Sequence, residues 1–147
     1  MFDHMVKNTV VPLLLRLGLA VIFLYHGTAK VTGEGNELGA AWAKAPEGQQ
    51  PLPKPFQMAV AWGELLGGAG LAIGFLTRLA ALGIAVIMVG AIATVHGPKG
   101  FSLQHGGYEY NFLILVVCAA VFLLGAGTLS ADRLIGWRRR RAVQAGP

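Results

Sequence analysis

Four long blocks of apolar residues alternate with polar segments along the chain. The blocks cover residues 10–30, 55–76, 79–96 and 108–127. A helix of about 20 residues, rising about 1.5 Å per residue, crosses a bilayer core of about 30 Å. The pattern therefore predicts an all-α fold, an integral membrane four-helix bundle.

The segments between the blocks differ in length. Residues 31–54 are rich in glycine, proline and glutamate and are predicted to form a loop, and residues 97–107 form a second one. Only Thr77 and Arg78 separate the second block from the third, so these two helices should form a tight hairpin. The whole chain is interpreted as one transmembrane domain.

Lysine and arginine are divided unequally between the two ends of such a bundle. One end collects Lys7, Arg16, Arg78, Arg133 and the run Arg138 to Arg141, and the other collects Lys30, Lys44, Lys54 and Lys99. Basic residues favour the cytoplasmic side, which predicts that both termini are cytoplasmic and that the loop 31–54 is extracytoplasmic. The predicted location is the inner (cytoplasmic) membrane, with a multi-pass topology.

Composition and charge agree with a membrane protein. Of 147 residues, 54% are hydrophobic and 13% are charged, whereas soluble domains carry about 25% charged residues. The net charge of +5 comes largely from the basic tail, residues 133–147. Such a run is typical of a cytoplasmic membrane end, and nucleic acid is not an expected partner. Cys118 is the only cysteine, which excludes an intramolecular disulfide and a CxxC redox pair.

Glycines recur along the second block at intervals of three or four residues: Gly63, Gly67, Gly70 and Gly74. In lipid, a face of small residues lets helix backbones approach closely. Packing inside the bundle is the favoured interpretation, and a groove for a ligand is the alternative.

Ionisable side chains inside the apolar blocks are the candidate functional residues, because each costs about 2.5–3.5 kcal/mol in a membrane helix. When the helices alternate in direction, five of them fall in the outer half of the bundle: His26, Lys30, Glu64, His96 and Glu109. Glu64 is expected to pair with His26 or Lys30. Asn111 and the neighbouring tyrosines, Tyr108 and Tyr110, are close enough in sequence to join them.

Three interpretations of this cluster stay open. It is a structural network that locks the bundle, or a pocket for the polar head of a lipophilic substrate such as a quinone, which exchanges protons with a carboxylate and a histidine. The third is a metal site, but no HxxxH, HExxH or CxxC spacing supports it, so no metal ligand is assigned.

Two arginines near the predicted cytoplasmic end, Arg16 and Arg78, are assigned a lipid or structural role. Long arginine side chains reach lipid phosphates from such positions. Arg16 lies about two turns into its helix, deep enough to prefer a carbonyl or an anion.

Several short motifs follow one another in a recognisable order. They are Arg16, Tyr25-His26-Gly27 with Lys30, Glu64 with Gly67-Gly68, Gly74, Arg78-Leu79-Ala80-Ala81, Gly107 with Glu109, and Gly125-Ala126-Gly127 with Ser130 and Asp132. Over roughly residues 16–132, this order resembles the DoxX family of small four-helix membrane proteins. The positions matching the recurrent polar residues of that family are Arg16, His26, Lys30, Glu64, Arg78 and Glu109. His96 and residues 46–55 are not part of the pattern.

The resemblance implies a redox-associated membrane subunit, with roles that include sulfur-compound oxidation and quinone as electron acceptor. No covalently bound cofactor is expected. A protein partner would carry the redox centre, because this chain has no cysteine pair, haem motif or iron–sulfur ligands. Two alternatives stay open: a non-enzymatic anchor or assembly factor for a partner protein, and a small transporter or proton pathway. Homo-oligomerisation is also left open.

Overall fold

The computed structural model describes residues 2–32 and 53–136. Four apolar helices lie within them: α1 (Val11–Thr32), α2 (Lys54–Ile73), α3 (Thr77–Ala91) and α4 (Glu109–Leu124). The predicted loop 31–54 and basic tail 133–147 lie largely outside the described residues.

Three of these helices are long and apolar enough to cross a membrane. α1 continues a helical stretch that begins at Phe2, and α3 continues through the π-helical turn Ile92–His96 to Lys99. α4 is a shorter apolar helix of 16 residues. The predicted all-α membrane bundle is confirmed. We call the end that carries residues 2–10 and 125–136 the terminal end, and the opposite end, with residues 97–108, the loop end.

The helices form a closed ring. α1 packs on α2, α2 on α3 and α3 on α4, and a smaller contact joins α4 to α1. The core between them consists mainly of aliphatic side chains: Leu19, Ala20, Phe23, Leu71, Ala81, Ile84, Met88, Ile114, Cys118 and Val121. Many large apolar side chains on the opposite helix faces are exposed, as expected of a surface that contacts lipid.

The closest approach in the bundle lies between α1 and α2. A Cβ atom at Gly27 would lie 2.5 Å from the backbone nitrogen of Leu65, and one at Gly68 would lie 2.9 Å from the backbone nitrogen of Leu24. Only glycine leaves room for the two backbones here.

The glycine face predicted on α2 packs against α3. Cβ atoms at Gly63 and Gly67 would lie 3.0 and 3.1 Å from the side chains of Ile87 and Ile84. The interpretation as a packing face is confirmed, whereas the tighter crossing at Gly27 was not predicted.

The turn between α2 and α3 lies at Gly74–Leu76, three residues before the predicted Thr77 and Arg78. Gly74 adopts a φ of 70°, a left-handed conformation that ends α2. The carboxylate of Asp132 accepts hydrogen bonds from the backbone N–H groups of Leu76 and Thr77, at 2.7 and 3.0 Å. These bonds begin α3 and hold Leu76 at a φ of 49°. The cap comes from a residue 55 positions away, so the local sequence could not reveal it.

The segment after α4 folds across the terminal end. α4 ends at Leu124 rather than at the predicted residue 127, because Gly125 and Gly127 adopt φ values of 76° and 74°. Arg16 donates hydrogen bonds to the carbonyl oxygens of Ala126 and Leu129, at 2.8 and 2.9 Å.

Arg16 is 1% exposed, so a role in lipid anchoring is wrong for this residue and its role is structural. Its acceptors are carbonyls of the segment after α4, which agrees with the expectation of a carbonyl partner. Arg78, by contrast, is exposed at the start of α3.

Replacing Gly27 with alanine should lower stability by about 1–3 kcal/mol, because the added methyl group forces the α1 and α2 backbones apart. Gly18→Ala is the matched control, since a Cβ at Gly18 of the same helix meets nothing within 4 Å. Thermal unfolding in detergent measures both variants. Equal unfolding temperatures would contradict the close crossing.

Asp132→Ala should destabilise the bundle by about 1–3 kcal/mol, because two backbone N–H groups at the start of α3 lose their acceptor. Asp132→Asn keeps one acceptor oxygen and should lose less. Asp3→Ala, which removes an exposed carboxylate from the same end, should leave the unfolding temperature unchanged. An Asp132→Ala variant as stable as Asp3→Ala would show that the cap is dispensable.

Candidate functional site

A cavity of about 300 Å³ lies at the loop end of the bundle. All four helices and the segment after α3 contribute to its wall. The polar side chains that line it are His26, Lys30, Glu64, His96, Tyr110 and Asn111. The apolar part of the wall includes Ile22, Phe23, Met88 and Ile114. We call this cavity the loop-end pocket.

An ion pair between α1 and α2 forms one wall of the pocket. Lys30 Nζ donates to Glu64 Oε2 at 2.5 Å. The side chain of Lys30 is 20% exposed and that of Glu64 is 3% exposed. Of the two partners predicted for Glu64, the structure selects Lys30. Removing water strengthens the attraction, and the pairing offsets much of the cost of burying the carboxylate.

The close helix crossing makes this ion pair possible. On α1, Phe23, Gly27 and Lys30 recur at intervals of four and three residues and so share one face. The backbone of Glu64 lies directly against Gly27. Lys30, one turn further along α1, therefore reaches the carboxylate.

His26 lies at the edge of the pocket. Its side chain is exposed, and its ring makes an edge-to-face contact with the ring of Tyr25 at 5.3 Å between centroids. Tyr110 is 38% exposed and also lines the cavity. These two exposed side chains form part of the pocket rim.

His96 lines the pocket from the end of α3. Its Nδ1 lies 2.7 Å from the carbonyl oxygen of Gly106. Gly106 belongs to a folded loop in which Tyr108 N–H donates to Gly100 O at 3.1 Å and Glu109 N–H donates to Phe101 O at 2.9 Å. The loop thus fixes the orientation of the imidazole.

Glu109 does not line the pocket, which corrects its placement in the predicted cluster. Its carboxylate accepts a hydrogen bond from Leu103 N–H at 3.0 Å and supports the loop. Asn111 is buried, and Glu109 lies two residues, or about 200°, away from it around α4.

Asn111 and Met88 meet inside the wall. Asn111 is 6% exposed, and its Nδ2 donates to Met88 Sδ at 3.4 Å. The sequence placed Asn111 beside the cluster but passed over Met88. The spacing of apolar residues along α3 could have identified Met88, because Ala81, Ile84 and Met88 share the buried face.

In the part of the chain that the structure describes, no three His, Cys, Asp or Glu side chains are grouped so that they could hold a metal ion. The pocket is a mixed polar and apolar cavity built around an ion pair and an oriented histidine. Such walls suit an amphipathic organic ligand.

Comparisons with known proteins place the chain in a family. The family model DoxX matches residues 11–97. An uncharacterised Haemophilus influenzae protein is 31% identical over 84% of this chain and 82% of its own length. "Putative oxidoreductase CatD" of Bacillus subtilis is 29% identical over 84% of this chain and 85% of its own length. No solved structure matches the chain significantly. The matched region includes α1, α2 and α3 with the ion pair and His96, and the chain belongs to the DoxX family of membrane proteins.

Proposed function

We propose that the protein is a redox-associated membrane subunit whose loop-end pocket binds the polar head of a quinone. It acts beside a partner oxidoreductase that carries the redox centre, in the oxidation of a sulfur compound or a related substrate. The location in the inner membrane, with the loop end outside the cytoplasm, is part of the proposal. The observation that carries it is the Lys30–Glu64 ion pair, which faces a cavity at the end of an apolar bundle.

The two halves of the wall match the two halves of such a ligand. Lys30, Glu64 and His96 present charged and polar groups to the head. Ile22 and Phe23 present apolar surface, and the exposed helix faces outside the cavity are suited to lipid and to an isoprenoid tail. A volume of about 300 Å³ is at the lower end of small-molecule sites, which suits a single ring better than a large cofactor.

Electron transfer requires a partner. Cys118 is the only cysteine of the chain and is 1% exposed, so the chain has no dithiol couple of its own. The relationship to "Putative oxidoreductase CatD" supports a redox role. The groups that this chain supplies are proton donors and acceptors, which a quinone needs when it takes up two electrons.

Native mass spectrometry of the detergent-solubilised protein tests the proposal. Wild type should carry a quinone, and the double variant Lys30→Met, Glu64→Gln should lose it, because the charged part of the wall is gone while its volume is kept. Lys54→Met is the matched control, since Lys54 is exposed at the same end of the bundle but outside the pocket. A wild type free of quinone, or a double variant that retains it, would contradict the proposal.

The same variants separate binding from folding. Glu64→Gln alone replaces the carboxylate that pairs with Lys30 by a neutral amide and should destabilise by more than about 1 kcal/mol. The double variant should recover part of this loss, since removing both charges of a buried pair is often nearly neutral. Thermal unfolding measures both. If the double variant is the less stable of the two, the pair is chiefly structural and the loss of quinone would need another explanation.

A further inference from the structure

α3 changes its helical period immediately before His96. Its buried face includes Ala81 and Met88, seven residues or two turns apart, and the same spacing would next direct Val95 inward. The turn Ile92–His96 is π-helical instead, which adds one residue to the turn. As a result, Val95 is 37% exposed, and His96 lines the pocket in its place.

A hydrogen bond then fixes which nitrogen of His96 carries a hydrogen. The carbonyl oxygen of Gly106 can only accept, so Nδ1, at 2.7 Å, carries the hydrogen. In the neutral ring, Nε2 therefore holds the lone pair and is a hydrogen-bond acceptor. The π-helical turn thus brings His96 to the pocket wall, and the Gly106 carbonyl determines which ring nitrogen carries the hydrogen.

Lys30, which lines the pocket from α1, has the reverse hydrogen-bond polarity. The Lys30 ammonium is a donor only and is held by Glu64. A ring held between Lys30 and His96 needs an acceptor oxygen on one side and a hydroxyl donor on the other. An oxidised quinone has two carbonyl acceptors, whereas a hydroquinone supplies the hydroxyl.

We propose that His96 Nε2 accepts a hydrogen bond from a ring hydroxyl, so that the loop-end pocket binds the hydroquinone more tightly than the quinone. This inference rests on the proposed function and adds the redox state that the site prefers. It has an electrochemical consequence: tighter binding of the reduced form raises the two-electron reduction potential of the bound couple, by about 30 mV for each tenfold preference. A quinone bound here is then a better electron acceptor for the partner.

The test compares the affinities of the two redox forms in one protein. A benzoquinone with a ten-carbon tail and its hydroquinone are titrated anaerobically into the detergent-solubilised full chain by calorimetry. Wild type should bind the hydroquinone at least about tenfold more tightly, a difference of about 1.4 kcal/mol. His96→Ala should bring the ratio close to one. His105→Ala, an exposed histidine of the same loop outside the pocket wall, should keep the wild-type ratio.

His96→Gln is a second variant whose amide retains a donor for Gly106 and an acceptor for the ligand. It should keep part of the preference even if His96→Ala folds poorly. Equal affinities of wild type for the two forms would overturn this inference and leave the proposed function standing. A His96→Ala variant with equally reduced affinity for both forms and a lower unfolding temperature would show that His96 has a structural role, and this result would also overturn the inference. If wild type binds neither form, the proposed function itself fails.

Discussion

The backbone contact of α1 with α2 at Gly27 is the constraint on which the loop-end pocket depends. In lipid, apolar side chains gain little by leaving the solvent, so helices associate where backbones approach closely. Gly27 provides that approach, and it places Glu64 against α1 one turn from Lys30. The ion pair then makes a buried carboxylate tolerable. Packing and chemistry at this end of the bundle therefore depend on the same glycine.

The two ends of the bundle use charge differently. At the terminal end, Arg16 donates to carbonyls left free beyond α4, and Asp132 caps α3. Both groups bond to backbone, and the segment after α4 is tied across the helix ends. At the loop end, Lys30 and Glu64 bond to each other beside a cavity. The terminal end is thus closed by its charged residues, whereas the loop end leaves room for a ligand.

The hydrogen-bond donors and acceptors of the pocket are the basis for the proposed preference for one redox form of the ligand. Lys30 presents donors, and His96, oriented by a π-helical turn and by Gly106, presents an acceptor. Glu109 serves this arrangement indirectly, since it bonds to the loop that carries Gly106. Under the proposal above, such a site would distinguish a hydroquinone from a quinone by the hydrogens that the ring carries.

The sequence by itself determined the membrane fold and the four apolar helices, because helix length and hydropathy are local properties. Successive membrane spans alternate in direction, and this brings His26, Lys30, Glu64 and His96 to one end of the bundle. Tertiary structure decided the rest. The turn lies at Gly74–Leu76 rather than at the predicted position because Asp132 caps α3 from far along the chain. Arg16 is buried because carbonyls beyond α4 accept its hydrogen bonds. Glu109 bonds to the loop backbone and lies outside the pocket. His96, and not Val95, lines the pocket because the π-helical turn shifts the helical phase. Such contacts join residues that no local pattern relates.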